Sequence, residues 1–226
     1  MTTTAAELLA QARALLLDFD GPICSIFAGI PDHVVADQLR GVLADGGHTN
    51  LPEHVATTKD PFDVFRYAAT LGEDEARYVE AAFTAHEVEA IPTATPTPGA
   101  HELIQAWHES ARPLAIVSNN SAAAISAYLD LYGLRPSVDH ISARMSPDAS
   151  LLKPSPHLLR QAVQSIQSEP ARTVFVGDSL SDIRASRTAG VLCIGYANKV
   201  GKRVRMATQQ PDAITDAIAD LVDSCS

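Results

Sequence analysis

Asp18 and Asp20 stand one residue apart where the apolar run Leu15-Leu16-Leu17 stops, and Gly21-Pro22 follows them. Two carboxylates at that spacing repel each other, and partial burial raises the cost of ionising either one. Something positively charged is expected between them. Other polar groups sit at comparable places in the chain. Ser118-Asn119-Asn120 ends a second apolar run, and Lys153-Pro154 precedes a helix-like segment. Gly177-Asp178-Ser179 ends a third run, with Asp182 one helical turn beyond Asp178.

These groups matter together only if the fold gathers them, so the elements that carry them come next. Ala14–Phe19, Leu114–Val117, Thr173–Val176 and Val191–Ile194 read as continuous rather than alternating apolar runs, Asp18 and Thr173 aside, with a weaker run at His140–Ala143. Continuous apolar strands are those buried on both faces, as in a parallel sheet covered by helices. Helical spacing lies between them, at 100–110, 121–131, 156–166 and 182–189, the last ended by Gly190. The alternation predicts a doubly wound, Rossmann-like α/β fold with a parallel sheet. Ligands bind such sheets at the carboxyl ends of the strands, which is where the polar groups fall. Thr4-Ala5-Ala6-Glu7 has the form of a capping box and predicts a short first helix behind a frayed Met1–Thr3. Residues 23–96 break the alternation: helix-like segments at 32–43, 61–70 and 73–90 precede the Pro- and Thr-rich stretch 91–100. The expected organisation is a core of 1–22 and 97–226 with a helical insertion at 23–96.

Composition excludes several function classes. The 226 residues are 46% hydrophobic and 19% charged, as in an ordinary globular protein of one large domain or a core with an insert. A net charge of -10 disfavours nonspecific nucleic-acid binding, which needs phosphate-neutralising Lys and Arg. The three cysteines, Cys24, Cys193 and Cys225, are too widely spaced for a metal pair or a disulfide framework. That predicts a reducing, cytoplasmic setting. The first apolar run is cut short by Asp18, unlike a secretory signal, and no stretch reaches the roughly 18–20 apolar residues of a membrane helix. A soluble monomer or homodimer is expected.

The motifs "DFDGP" (18–22), "SNN" (118–120), "KP" (153–154) and "GDSLSD" (177–182) resemble the four ordered motifs of the haloacid dehalogenase-like hydrolases. Residues 23–96 take the place of the helical cap in the phosphoglycolate-phosphatase-like branch of that family. The resemblance implies a magnesium-dependent phosphatase acting on a small phosphorylated metabolite. Asp18 would be the nucleophile that forms an aspartyl-phosphate, and Asp20 the acid and then base for the leaving alcohol and water. Ser118 and the Asn119 N–H would hold phosphoryl oxygens, and Lys153 would neutralise Asp18 and the transferred group. Asp18, the Asp20 carbonyl and Asp178 would bind Mg2+, with Asp182 completing or orienting that set. The acid at position 20 favours C–O–P substrates over C–Cl or C–P ones.

Rival readings are a phosphomutase with the same nucleophile, a noncatalytic regulatory protein that keeps the fold, and a receiver domain. Receivers lack a large insert after the first strand. Cys24 and Cys193 read as buried core thiols, and His86-Glu87 lacks the second His of a zinc protease motif. His101, His108 and His140 show no ligand spacing. Lys199, Lys202, Arg203 and Arg205 read as a solvated basic loop, with steering of an anionic substrate as the alternative. In the insertion, His33, Arg40, His48, Lys59 and Arg66 are the candidates for contact with a leaving group.

Overall fold

Thr4 caps the first helix, α1 (Ala5–Ala10), through the two reciprocal bonds of a capping box with Glu7. This computed structural model describes residues 3–225; of the segment expected to fray, Met1 and Thr2 lie outside the described residues. Strand β1 (Ala14–Leu17) follows, then a short strand β2 (Cys24–Ser25). Four helices come next: α2 (Asp32–Asp45), α3 (Glu53–Ala56), α4 (Pro61–Leu71) and α5 (Glu73–Ala90). The chain returns through β3 (Thr95–Pro96) and continues as α6 (Ala100–Glu109), β4 (Leu114–Ser121), α7 (Ala122–Leu131) and β5 (His140–Arg144). The last part comprises α8 (His157–Ser165), β6 (Thr173–Gly177), α9 (Leu180–Ala189), β7 (Leu192–Tyr196), α10 (Lys202–Ala207) and β8 (Ala213–Thr215).

Six of the strands form one parallel sheet in the order β5-β4-β1-β6-β7-β8. All four residues of β1 are buried, and alternate ones face different cores. Leu15 and Leu17 join one apolar cluster with Ile116, Val174 and Trp107, while Leu16 joins another with Val117, Phe175 and Leu159. That is the physical cause of the unbroken apolar runs, because helices cover both sides. Each fully buried Leu, Ile or Phe contributes roughly 1.5–3 kcal/mol relative to exposure.

The central position of β1 has a consequence for ligands. Its neighbours β4 and β6 lie on opposite sides, so the connections diverge there and leave a crevice at the carboxyl ends. Helices α2–α5 stand over that end, and their apolar stripes join the same cluster as Leu16 and Val117. Phe83 of α5 packs edge-on against Phe62 of α4, with ring centroids 4.9 Å apart. The two connections to this helical group are tied together, since β2 pairs antiparallel with β3 through Cys24 with Pro96 and Ser25 with Thr95.

The structure departs from expectation in several places. β1 stops at Leu17 rather than Phe19, because the Phe19 carbonyl already accepts the Ile23 and Cys24 N–H groups of a turn. β4 runs past Val117 to Ser121, with a register irregularity between Ser118 and Ser121. The β2–β3 ribbon, α3 and β8 were not anticipated; each is too short to carry a periodic signal. The 199–205 loop is partly helical, as α10. All three cysteines are buried and unpaired. No helix among the described residues is long and apolar enough to cross a membrane.

Candidate active site

Four segments distant in sequence meet at the crevice. Asp18, Asp20, Ser118, Asn119, Lys153, Asp178 and Asp182 line one cleft, joined from the helical group by Asp60, Phe62 and Arg66. Asp18 lies just beyond β1, where its backbone N–H still donates to the Val176 carbonyl 3.0 Å away. One carboxylate oxygen accepts the Phe19 N–H at 2.8 Å, and the other lies 2.9 Å from Lys153 Nζ. Lys153 is buried and also meets Asp182 Oδ1 at 2.8 Å.

Lys153 is placed by Asn119. The Asn119 side chain accepts the Lys153 N–H at 2.8 Å and donates to its carbonyl at 3.3 Å. The amide of Asn119 is therefore spent on aligning the lysine, a role distinct from the backbone contact expected of this residue. Asp182 sits in the first turn of α9 and accepts the Asp178 and Ser179 N–H groups, each at 2.9 Å. Both of its oxygens are thus engaged, one by the helix cap and one by lysine.

Two glycines make this close approach possible. A Cβ on Gly177 would stand 2.5 Å from Asp182 Cβ, and one on Gly21 would stand 2.5 Å from Asp178 Cγ. Gly21 also holds φ at +102°, which side chains disfavour, and so turns the chain sharply after Asp20.

The electrostatics follow from crowding. Burial raises the Asp18 carboxyl to about 8; Lys153 opposes the rise, while Asp182 and Asp178 add to it. Burial alone would lower Lys153, but Asp18 and Asp182 outweigh it and hold the ammonium firmly protonated. Burial opposes ionisation of Asp182, yet Lys153 and the Ser179 groups win and hold it below the ordinary carboxylate range. Burial and Asp182 raise Asp178, against Lys202. Asp20 opens onto the cleft and is exposed by area, yet the enclosing walls raise its carboxyl to about 7. Asp20 is held by the Ile26 N–H, 3.0 Å from Oδ1.

A divalent cation fits these donors. Asp18, Asp178 and Asp182 each present a ligand atom within 4.8 Å of the others, all hard carboxylate oxygens. Among the described residues no other cluster of this kind occurs, so His101, His108 and His140 take no part in one.

The helical group and the basic segment sort themselves by contact. Arg66 reaches the cleft. Arg40 turns inward to the Val55 and Thr58 carbonyls at 3.1 and 3.0 Å, and His48 pairs with Glu75 at 3.0 Å. His33 and Lys59 are exposed. Of the basic segment, Arg203 pairs with Asp216, whereas Lys202 reaches the site and pairs with Asp178 and Asn198.

Sequence reasoning missed a second layer. Arg144, at the end of β5, is buried with Glu87 of α5, Nη2 to Oε2 at 2.5 Å. Its Nη1 meets Glu80 Oε1 at 2.6 Å, and its guanidinium lies over Phe83, 4.5 Å from the ring centroid. A signal existed: the buried stripe of α5 is Ala76, Val79, Phe83, Glu87 and Ala90, and Glu87 is the one charge on it.

Comparison with known proteins bears on this geometry. A sequence model of the haloacid dehalogenase-like hydrolases matches residues 12–190, most of the chain and all four motifs. The chain belongs to this family. It is 32% identical over 130 residues to the pyrophosphatase PpaX of Halalkalibacterium halodurans, covering 57% of this chain and 59% of that protein. It is 28% identical over 127 residues to a phosphoglycolate phosphatase of Vibrio vulnificus, covering 56% and 54%. The chain thus spans little more than half the length of these curated relatives. The structure of CbbY from Rhodobacter sphaeroides in complex with phosphate superposes with a TM-score of 0.67 at 21% identity, covering 93% of this chain and 96% of that one. At that identity the likeness speaks for the fold of this haloacid dehalogenase-like chain.

Proposed function

We propose that this chain is a magnesium-dependent phosphatase that hydrolyses a small phosphate monoester through an aspartyl-phosphate on Asp18. The observation that carries the reading is the meeting of Asp18, Lys153 and Asp182 within 2.9 Å contacts at the carboxyl end of the central strand. A lone buried carboxylate is a poor nucleophile toward an anion; one flanked by a buried ammonium and a cation-ready carboxylate set is not. The relatives named for phosphate-ester and pyrophosphate hydrolysis support the same reaction class.

Asp18 attacks phosphorus while Asp20, whose carboxyl the enclosing walls raise above its ordinary range, protonates the departing alcohol. Asp20 then takes a proton from water, which attacks the same phosphorus and releases Asp18 and inorganic phosphate. Ser118 holds a phosphoryl oxygen, and Lys153 neutralises Asp18 and the transferred group. Mg2+, bound by Asp18, Asp178 and the Asp20 carbonyl, would supply charge neutralisation for two anions that must meet. Asp182 positions Lys153 and the Asp178 loop. Helices α2–α5 serve as the cap, and Arg66, with Phe62, is the residue of that cap set to contact the leaving group.

Asp18→Asn is expected to abolish hydrolysis of p-nitrophenyl phosphate with Mg2+ while leaving the circular dichroism spectrum unchanged. Full turnover by that variant would remove Asp18 from the mechanism.

A further inference from the structure

The second layer behind the site has a direction. Glu87 is fully buried on α5, and its Oε1 accepts from Asn120 Nδ2 at 2.9 Å. Its other oxygen, Oε2, accepts the Ser121 N–H at 2.9 Å and faces Arg144. Arg144 in turn donates from Nε to the Asn119 carbonyl at 3.2 Å. The segment 119–121 is therefore gripped at a carbonyl, an amide side chain and an N–H, at the place where β4 loses its regular register.

Glu87 accepts from Arg144 and from the Ser121 N–H, so it stands as an acceptor and Asn120 turns its NH2 toward it. Its carbonyl oxygen is then forced the other way, where it accepts the Ser118 hydroxyl at 3.0 Å. The Asn120 N–H reaches the same Oγ at 3.3 Å. Ser118 is a buried residue of the cleft, so these bonds fix the position of Oγ before any substrate arrives.

We propose that Glu87 is a positioning residue that sets the Ser118 hydroxyl for phosphoryl binding through Asn120, with Arg144 as its countercharge. The proposal rests on the phosphatase reading given above and extends it to a residue of the inserted helices. When a phosphoryl group enters, the Ser118 proton turns from Asn120 Oδ1 to a phosphoryl oxygen, while the Asn120 N–H keeps Oγ in place. No covalent bond changes. The helical group thereby takes part in the phosphoryl cradle as well as in covering it.

The test is a double-mutant cycle with Ser118→Ala, read as kcat/KM for p-nitrophenyl phosphate and as affinity for orthophosphate by calorimetry. One arm is Glu87→Gln combined with Arg144→Met, which removes both buried charges together so that neither is stranded. The other is Asn120→Ala, which breaks the relay and leaves the ion pair whole. Each arm is expected to lower kcat/KM by about tenfold or more and to weaken orthophosphate binding in the Ser118 protein. Neither should lower them further once Ser118 is alanine. If the Glu87/Arg144 variant fails to fold, Asn120→Ala decides alone. Additive losses, unchanged kinetics in Asn120→Ala, or a Ser118→Ala variant as active as the parent would each overturn the proposal. A parent protein that turns over no phosphate ester would instead overturn the phosphatase reading, and orthophosphate affinity would still read the relay.

Discussion

The proposed mechanism gives the neighbours Asp18 and Asp20 opposite tasks, and their contacts differ accordingly. Asp18 is buried against an ammonium at 2.9 Å, which suits a carboxylate that must attack. Asp20 opens to the cleft, held by the Ile26 N–H and with no cation within bonding distance among the described residues, which suits one that must give up a proton. Proton donation matters in proportion to how badly the leaving group needs it. Asp20→Asn is therefore expected to lower kcat for alkyl phosphates by roughly 10²–10⁴-fold and to affect p-nitrophenyl phosphate far less. Steady-state rates on the two substrate types check this. Equal losses on both would assign Asp20 to positioning alone.

Helix α6 meets α7 through an aromatic contact that has its own pH behaviour. His101 Nε2 lies 2.8 Å from the Tyr128 hydroxyl, and its ring is 4.8 Å from that of Tyr132. Burial lowers His101 below its ordinary 6.5, against a smaller opposing effect of Glu102. A histidine depressed in the folded state takes up its proton more readily in the unfolded chain, so stability falls as pH drops below about 6.5. His101→Gln lacks this term. The melting temperature of the parent minus that of His101→Gln is expected to shrink between pH 7.5 and 5.5. A difference independent of pH would mean that the histidine titrates alike in both states. The elements themselves were largely legible: α5 matched its expected bounds, because an 18-residue helix carries enough turns for its period to show. The two-residue strands β2 and β3 had no period to read.

The proposed cation ligands meet only in the folded sheet, because Asp18 follows β1 and Asp178 follows β6, which are neighbours there and far apart in the chain. A ligand that binds only the native state raises stability by RT ln(1 + [L]/Kd), about 2.7 kcal/mol at a hundredfold excess over Kd. Millimolar Mg2+ is expected to raise the melting temperature of the parent, chelator to reverse it, and Asp178→Asn to abolish it. Differential scanning fluorimetry reads this without reference to turnover. An equal rise in Asp178→Asn would place the ion elsewhere.

Residue types and their order were enough to foresee a parallel sheet and to single out Asp18, Asp20, Ser118, Asn119, Lys153, Asp178 and Asp182, which the fold gathers in one cleft, because they lie near where strands or helices of strong local signal begin or end. They could not distinguish the two uses of Asn119, whose amide aligns Lys153, nor reveal that Asp182 divides its oxygens between a helix cap and that lysine. The pairing of Lys202 with Asp178 was equally hidden, and so was the path from Arg144 through Glu87 and Asn120 to Ser118. Local periodicity reports which face of an element is buried. Which buried polar group finds which partner depends on how elements far apart in the chain are packed, and only the tertiary structure decides that.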